Sequence, residues 1–120
     1  CFWPQNAHIH PVMTDEPVLI YTLFGSGVEA KQVAGNLIEE KLIACANHLA
    51  PASSQYVWKG ETCEEEEYPV LLKTVASRSH AAMARLRALH SYDLPAILSW
   101  PASQSDPDYA RWLSGQMTDN

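Results

Sequence analysis

Positive charge is scarce in this sequence. Its 120 residues hold 8 Lys and Arg against 14 Asp and Glu, a formal charge of −6. An acidic chain repels phosphate backbones, which argues against nucleic acid as a partner. Cysteine is scarce too. Cys1, Cys45 and Cys63 form an odd set at long spacing with no C-x-x-C, so neither a disulfide framework nor a paired-ligand zinc site is expected. That usage suits a reducing cytoplasm, the expected location. No run comes near the ~20 apolar residues that cross a bilayer, and no membrane association is expected. Gly25-Ser26-Gly27 is too short and plain for a P-loop or a dinucleotide fingerprint. Neither G-x-S-x-G, H-E-x-x-H nor a Cys/His signature occurs. Catalysis needs a nucleophile–base or acid–base pair, so the chain is expected not to be an enzyme.

What is present suffices for one core. Hydrophobic residues make up 47% and charged residues 18% of 13.4 kDa, which reads as a single globular domain. Residues 1–12 are expected to be a leader or appended extension, because Met13-Thr14-Asp15-Glu16-Pro17 reads like a natural start. His8 and His10 fall in that leader. The domain is then 13–120.

Pro17 to Phe24 is a continuous β-branched and aromatic run that ends at Gly25, the pattern of a central strand. Val33, Ala34, Leu37, Ile38 and Leu42 recur at helical spacing from about Val28 to Lys41, one buried stripe of an amphipathic helix. Leu42 to Leu49 is an apolar strand. Pro51 interrupts it and Ser54 to Trp58 resumes it. Lys59-Gly60 turns the chain and Tyr68 to Ala76 returns, a long hairpin with a bulge or kink near Pro51. Pro69 cannot donate to a ladder, so one edge of the returning strand should be free there. Ser77 or Ser79 is placed to cap a second helix running to His90. Leu94 to Pro101 is a further strand. Ser105-Asp106-Pro107-Asp108 opens a last helix, with proline in its first turn.

The order β-α-β-β-α-β plus a C-terminal helix predicts an α+β, ferredoxin-like sandwich. Hairpin strands of about 15 residues exceed the usual 5–6. A hairpin that overshoots its helices has unburied faces, and another copy would cover them.

Several stretches carry a family resemblance. They are Glu39 to Asn47, Tyr56-Val57-Trp58-Lys59-Gly60, Leu72-Lys73-Thr74, His90 to Pro95, and Tyr109-Ala110-Arg111-Trp112-Leu113. Together they resemble the CutA divalent-cation tolerance proteins from about Pro17 to Met117. The resemblance implies a fold similar to the PII signalling proteins and a tight homotrimer whose long hairpins join subunits into shared sheets. Two positions depart from the pattern: Ser91 replaces a proline, and Ala96 replaces a glutamate. Of the cysteines proposed as copper ligands in some relatives, only Cys45 is matched, Tyr21 and Arg85 standing at the other two places.

Each candidate residue has a plain reading beside the functional one. Cys45 is a small strand hydrophobe or a soft copper ligand, with His90 as a second donor. His48 faces the other side of that strand. His90 and Tyr92 mark a helix end or the wall of a polar pocket. Lys73 alternates with core residues and needs an ion pair, such as a glutamate of another subunit, or an anionic ligand in a cleft. Trp58, Tyr109 and Trp112 pack, or line that cleft. Glu64 to Glu67 cannot converge on one ion from a strand and read as a solvated arm, with Cys63 exposed beside it. Two functions follow as expectations. One is divalent-cation tolerance with weak binding of Cu²⁺ or another divalent ion. The other is PII-like sensing of an anionic metabolite between subunits, at Lys73, His90, Tyr92, Trp58, Tyr109 and Trp112, with an unknown protein partner.

Overall fold

The computed structural model describes residues 15–118. The expected boundary after residue 12, and His8 and His10, lie outside the described residues. The elements are β1 (Pro17–Phe24), α1 (Gly27–Glu39), β2 (Cys45–His48), β3 (Ala52–Trp58), β4 (Glu61–Val75), α2 (Ala76–Leu89), β5 (Ile97–Pro101) and α3 (Pro107–Gly115). The sheet runs β2-β4-β1-β5, and β3 also pairs with β4. Every pairing is antiparallel. Taken as one kinked strand, β2 and β3 complete the expected α+β order of two split β-α-β units.

Alternation along β1 divides the sheet into two faces. Val18, Ile20, Thr22 and Phe24 are buried, while Pro17, Leu19, Tyr21 and Leu23 are half-buried. The buried set meets Val70, Leu72, Ala30, Val33, Leu37, Ala82 and Leu86 beneath α1 and α2. Among the described residues only α3 lies against the other face, near one end, where Leu113 and Met117 pack on Val75. The rest of that face is left open by the described residues, with Leu98 60% and Trp100 45% exposed.

β4 is 15 residues long, or about 50 Å of strand. It sets the 53 Å long axis of a molecule only 26 by 24 Å across. Its outer half pairs with β3 as an arm beyond the helices. Lys59 and Gly60 have φ of 50° and 81°, the two positive values a two-residue hairpin loop of this twist requires.

The expected kink near Pro51 is a one-residue bulge. His48 pairs with Val70 and Ala52 with Glu67, so Leu49, Ala50 and Pro51 stand opposite Tyr68 and Pro69 alone. The bulge inverts the pleat of β3 relative to β2. Ser54, Tyr56 and Trp58 therefore share the face of Cys45 and Lys73, although alternation from Cys45 alone would place them with His48. Pro69 fits this junction. Its carbonyl accepts from Leu49 N–H at 3.0 Å, so its missing donor points at the break between β2 and β3, not at β1.

The helix ends explain themselves in part. Ser26 caps α1, its side chain accepting from the Glu29 N–H. Asp106 caps α3 with Pro107 in the first turn, as expected. Neither Ser77 nor Ser79 caps α2. β4 runs straight into that helix, Val75 is the cap residue without a side-chain bond, and both serines fall inside the first turns. The cap comes from Asp15, whose carboxylate accepts from the Ser77 N–H at 3.2 Å and from its hydroxyl. At the end of α1, Lys41 N–H donates to the Ile38 carbonyl and Leu42 N–H to that of Leu37, a Schellman closure with lysine at φ 59° where glycine is usual. Lys41→Gly is accordingly expected to raise stability by about 0.5–1 kcal/mol in urea titration, since it relieves the left-handed strain.

Candidate functional site

The sequence-derived site residues occupy three places in one protomer. The first is the open face beside α3. Cys45 stands directly opposite Lys73 in the β2–β4 register. The Lys73 Nζ lies 5.8 Å from the centre of the Tyr109 ring, within reach of a cation–π attraction. Tyr109 in turn sits 5.8 Å from Trp112, centre to centre. Burial, and then the Cys45 thiol against it, push the Tyr109 hydroxyl up to about 12. A shallow cavity of about 260 Å³ opens here, lined by Leu19, Lys73, Ser105, Asp106 and Tyr109 among others. The Asp106 carboxylate is committed to the Tyr109 N–H at 2.9 Å.

The second place is the far end of β1. His90 is 8% exposed and stacks on Phe24 at 4.5 Å. Its Nδ1 lies 3.1 Å from the Tyr92 N–H, which can only donate, so Nδ1 accepts. Nε2 then carries the proton and donates to the Leu23 carbonyl at 2.7 Å. The sheet explains the need for it. Pairing of β5 with β1 begins at Thr22 and Ile97, so Leu23 has lost its strand neighbour and the imidazole takes that place. Tyr92 donates its hydroxyl to Glu67 at 3.0 Å. Burial and the nearby carboxylates hold that phenol proton well above the usual range. Gly25 leaves the room: a Cβ there would stand 3.3 Å from the Tyr92 hydroxyl.

The third place is the arm tip, where Trp58 is exposed beneath Lys59. One cleft of all six residues is thus not formed inside a single protomer. Lys73 and His90 are tied to β1 at Leu19 and Leu23, about 13 Å apart along the strand. The expected metal pair, Cys45 and His90, is not brought together either. Cys45 belongs to the open face, and both His90 nitrogens are engaged. Among the described residues no group of three or more His, Cys, Asp and Glu side chains could hold a metal ion. His48 does lie across the strand from Cys45, as expected. Partial burial and Lys31 of α1 lower its pKa, which places it on the helix side.

The comparisons with known proteins now decide the family. Residues 18–116 match the family model of the CutA1 divalent ion tolerance proteins. The chain belongs to the CutA1 family. A CutA divalent-cation tolerance protein of Citrobacter koseri is 33% identical over 102 residues, covering 85% of this chain and 89% of that one. The crystal structure of CutA from Xylella fastidiosa superposes with a TM-score of 0.83 at 32% identity, covering 86% of this chain and 99% of that one. CutA1 from Oryza sativa gives 0.83 at 28% identity, covering 89% and 98%.

Where this CutA1 chain departs from the expected pattern, the structure shows the consequence. Ser91 does what a proline cannot: its N–H and its hydroxyl both donate to the Glu29 carboxylate, at 2.9 and 2.8 Å. This ties the segment after α2 to the first turn of α1. Ala96 is exposed ahead of β5 and offers no carboxylate. Of the two other positions where the resemblance implied cysteines, Tyr21 shares the face of Cys45. Arg85 lies on α2 and pairs with Glu40 at 2.9 Å.

Proposed function

We propose that this protein is a cytoplasmic, non-enzymatic homotrimer that confers divalent-cation tolerance by binding Cu²⁺, or a similar ion, weakly at Cys45. Membership of the CutA1 family carries the reading. Cys45 supplies a half-buried soft donor beside Tyr109 at the α3 end of the face that the other helices leave uncovered, and symmetry would bring equivalent thiols into the same assembly. Cys45 and Cys63 are both free thiols, in keeping with a reducing compartment. Titrating Cu²⁺ into chelator-stripped protein in a calorimeter is expected to show weak saturable heat that Cys45→Ser removes. Absence of heat from the unsubstituted protein, or equal heat from both, would sink direct binding at this thiol.

A second reading, PII-like sensing of an anionic metabolite with relay to a partner protein, is favoured by Lys73, which lines the cavity with its ammonium beside the Tyr109 ring. It expects Lys73→Ala to lose the metabolite while the assembly persists.

A further inference from the structure

Lys73 is the cation most in need of a partner. It lies on β4 between Leu72 and Thr74, which are 1% and 0% exposed, and is itself half-buried. Among the described residues no carboxylate comes within 4 Å of its ammonium; the ion pairs there join Arg85 to Glu40 and Arg111 to Asp108. Asp106, on the cavity wall, already caps α3. An ammonium held between an aromatic ring and an apolar sheet calls for an anion.

The chain places acid on the same face, out of its own reach. Glu65 and Glu67 follow the pleat of Lys73 along β4, but eight and six residues away, about 27 and 20 Å of strand. Each accepts one hydroxyl in its own protomer, Glu65 from Tyr56 and Glu67 from Tyr92, and a carboxylate keeps further lone pairs for an ammonium. The paired arm cannot fold back over that distance. Glu65 and Glu67 also share that side of the arm with Tyr56 and Trp58, aromatics matched to the open apolar face around Lys73.

We propose that the Lys73 cavity is completed by a second copy of this chain, whose arm delivers the Glu65 and Glu67 carboxylates to the ammonium. The site is then an ion pair between copies, incomplete in one protomer. This rests on the self-assembly proposed above. It assigns to a neighbouring copy the charge that the sensor reading gives to a metabolite.

A double-mutant cycle on the intact protein tests it. Assembly is read by sedimentation and native mass spectrometry for Lys73→Met, Glu65→Gln with Glu67→Gln, and all three together. Each of the first two is expected to weaken assembly at least tenfold, and the triple variant no further than either. Lys73→Arg, which keeps the charge, should assemble like the parent, and circular dichroism checks that each variant is folded. Effects that multiply, or a Lys73→Met variant that assembles normally, would overturn the ion pair. Normal assembly combined with loss of binding to a small dicarboxylate probe would give the lysine to a ligand instead. A parent protein that is monomeric at every concentration would refute the self-assembly reading itself.

Discussion

A Leu98→Asp, Trp100→Asp variant is expected to stay monomeric at concentrations where the parent protein assembles. The two side chains stand opposite Tyr21 and Leu19 across the β1–β5 ladder, on the face that neither α1 nor α2 covers. A large aromatic offers 150–250 Å² of surface, so covering the exposed 45% of Trp100 is worth about 2–3 kcal/mol per copy. A carboxylate in its place forfeits that and adds the cost of desolvating an unpaired charge. Repeated around a symmetric ring, the loss removes several orders of magnitude in association. Native mass spectrometry should show the monomer. The melting temperature, expected to rise with concentration in the parent, should become independent of it. The same aspartates at exposed Ala81 and Ala84 of α2 should leave assembly intact. Parent-like assembly of the Leu98, Trp100 variant would move the interface elsewhere.

The features legible in the sequence were those set by neighbours along the chain. Alternation in β1, the helical stripe of α1, the Lys59-Gly60 turn and the Asp106-Pro107 helix start each depend on a few adjacent residues. The bulge at Pro51 was legible too, because proline cannot continue a ladder. What escaped the reading depends on partners far away. The α2 cap is Asp15, 62 residues before Ser77, and no local rule links them. His90 reads as a ligand along the chain, whereas its role follows from where β5 stops, which leaves the Leu23 carbonyl unmatched. The six cleft residues carried the right chemistry for one family, yet the pleat and the length of β1 divide them between regions of a protomer. Only an assembly could reunite them, and a single chain's sequence does not state that geometry.

The last expectation contrasts one substitution at two sites. Thr22 and Thr74 are both 0% exposed on the helix-covered face, one on β1 and one on β4. The Thr74 hydroxyl donates to the Leu42 carbonyl at 2.7 Å and lies against the Met117 sulfur. It thereby satisfies backbone where the chain leaves α1 for β2. Among the described residues the Thr22 Oγ1 has no hydrogen-bond partner, held between Val70 of β4 and Ile97 of β5. Thr→Val keeps the shape and removes the hydroxyl in both cases. At Thr74 it leaves a carbonyl without its donor, at a cost of about 1–3 kcal/mol. At Thr22 it replaces a desolvated, unpaired hydroxyl with a methyl group that the apolar surroundings favour, a gain of about 1 kcal/mol. The two variants should therefore shift in opposite directions in urea titrations at equal protein concentration, separated by at least about 2 kcal/mol. Equal destabilisation would mean that the Thr22 hydroxyl is bonded in solution. No loss at Thr74 would mean that the Leu42 carbonyl finds another donor, and that the closure of α1 onto the sheet depends on its Schellman turn and the packing of Leu37 instead.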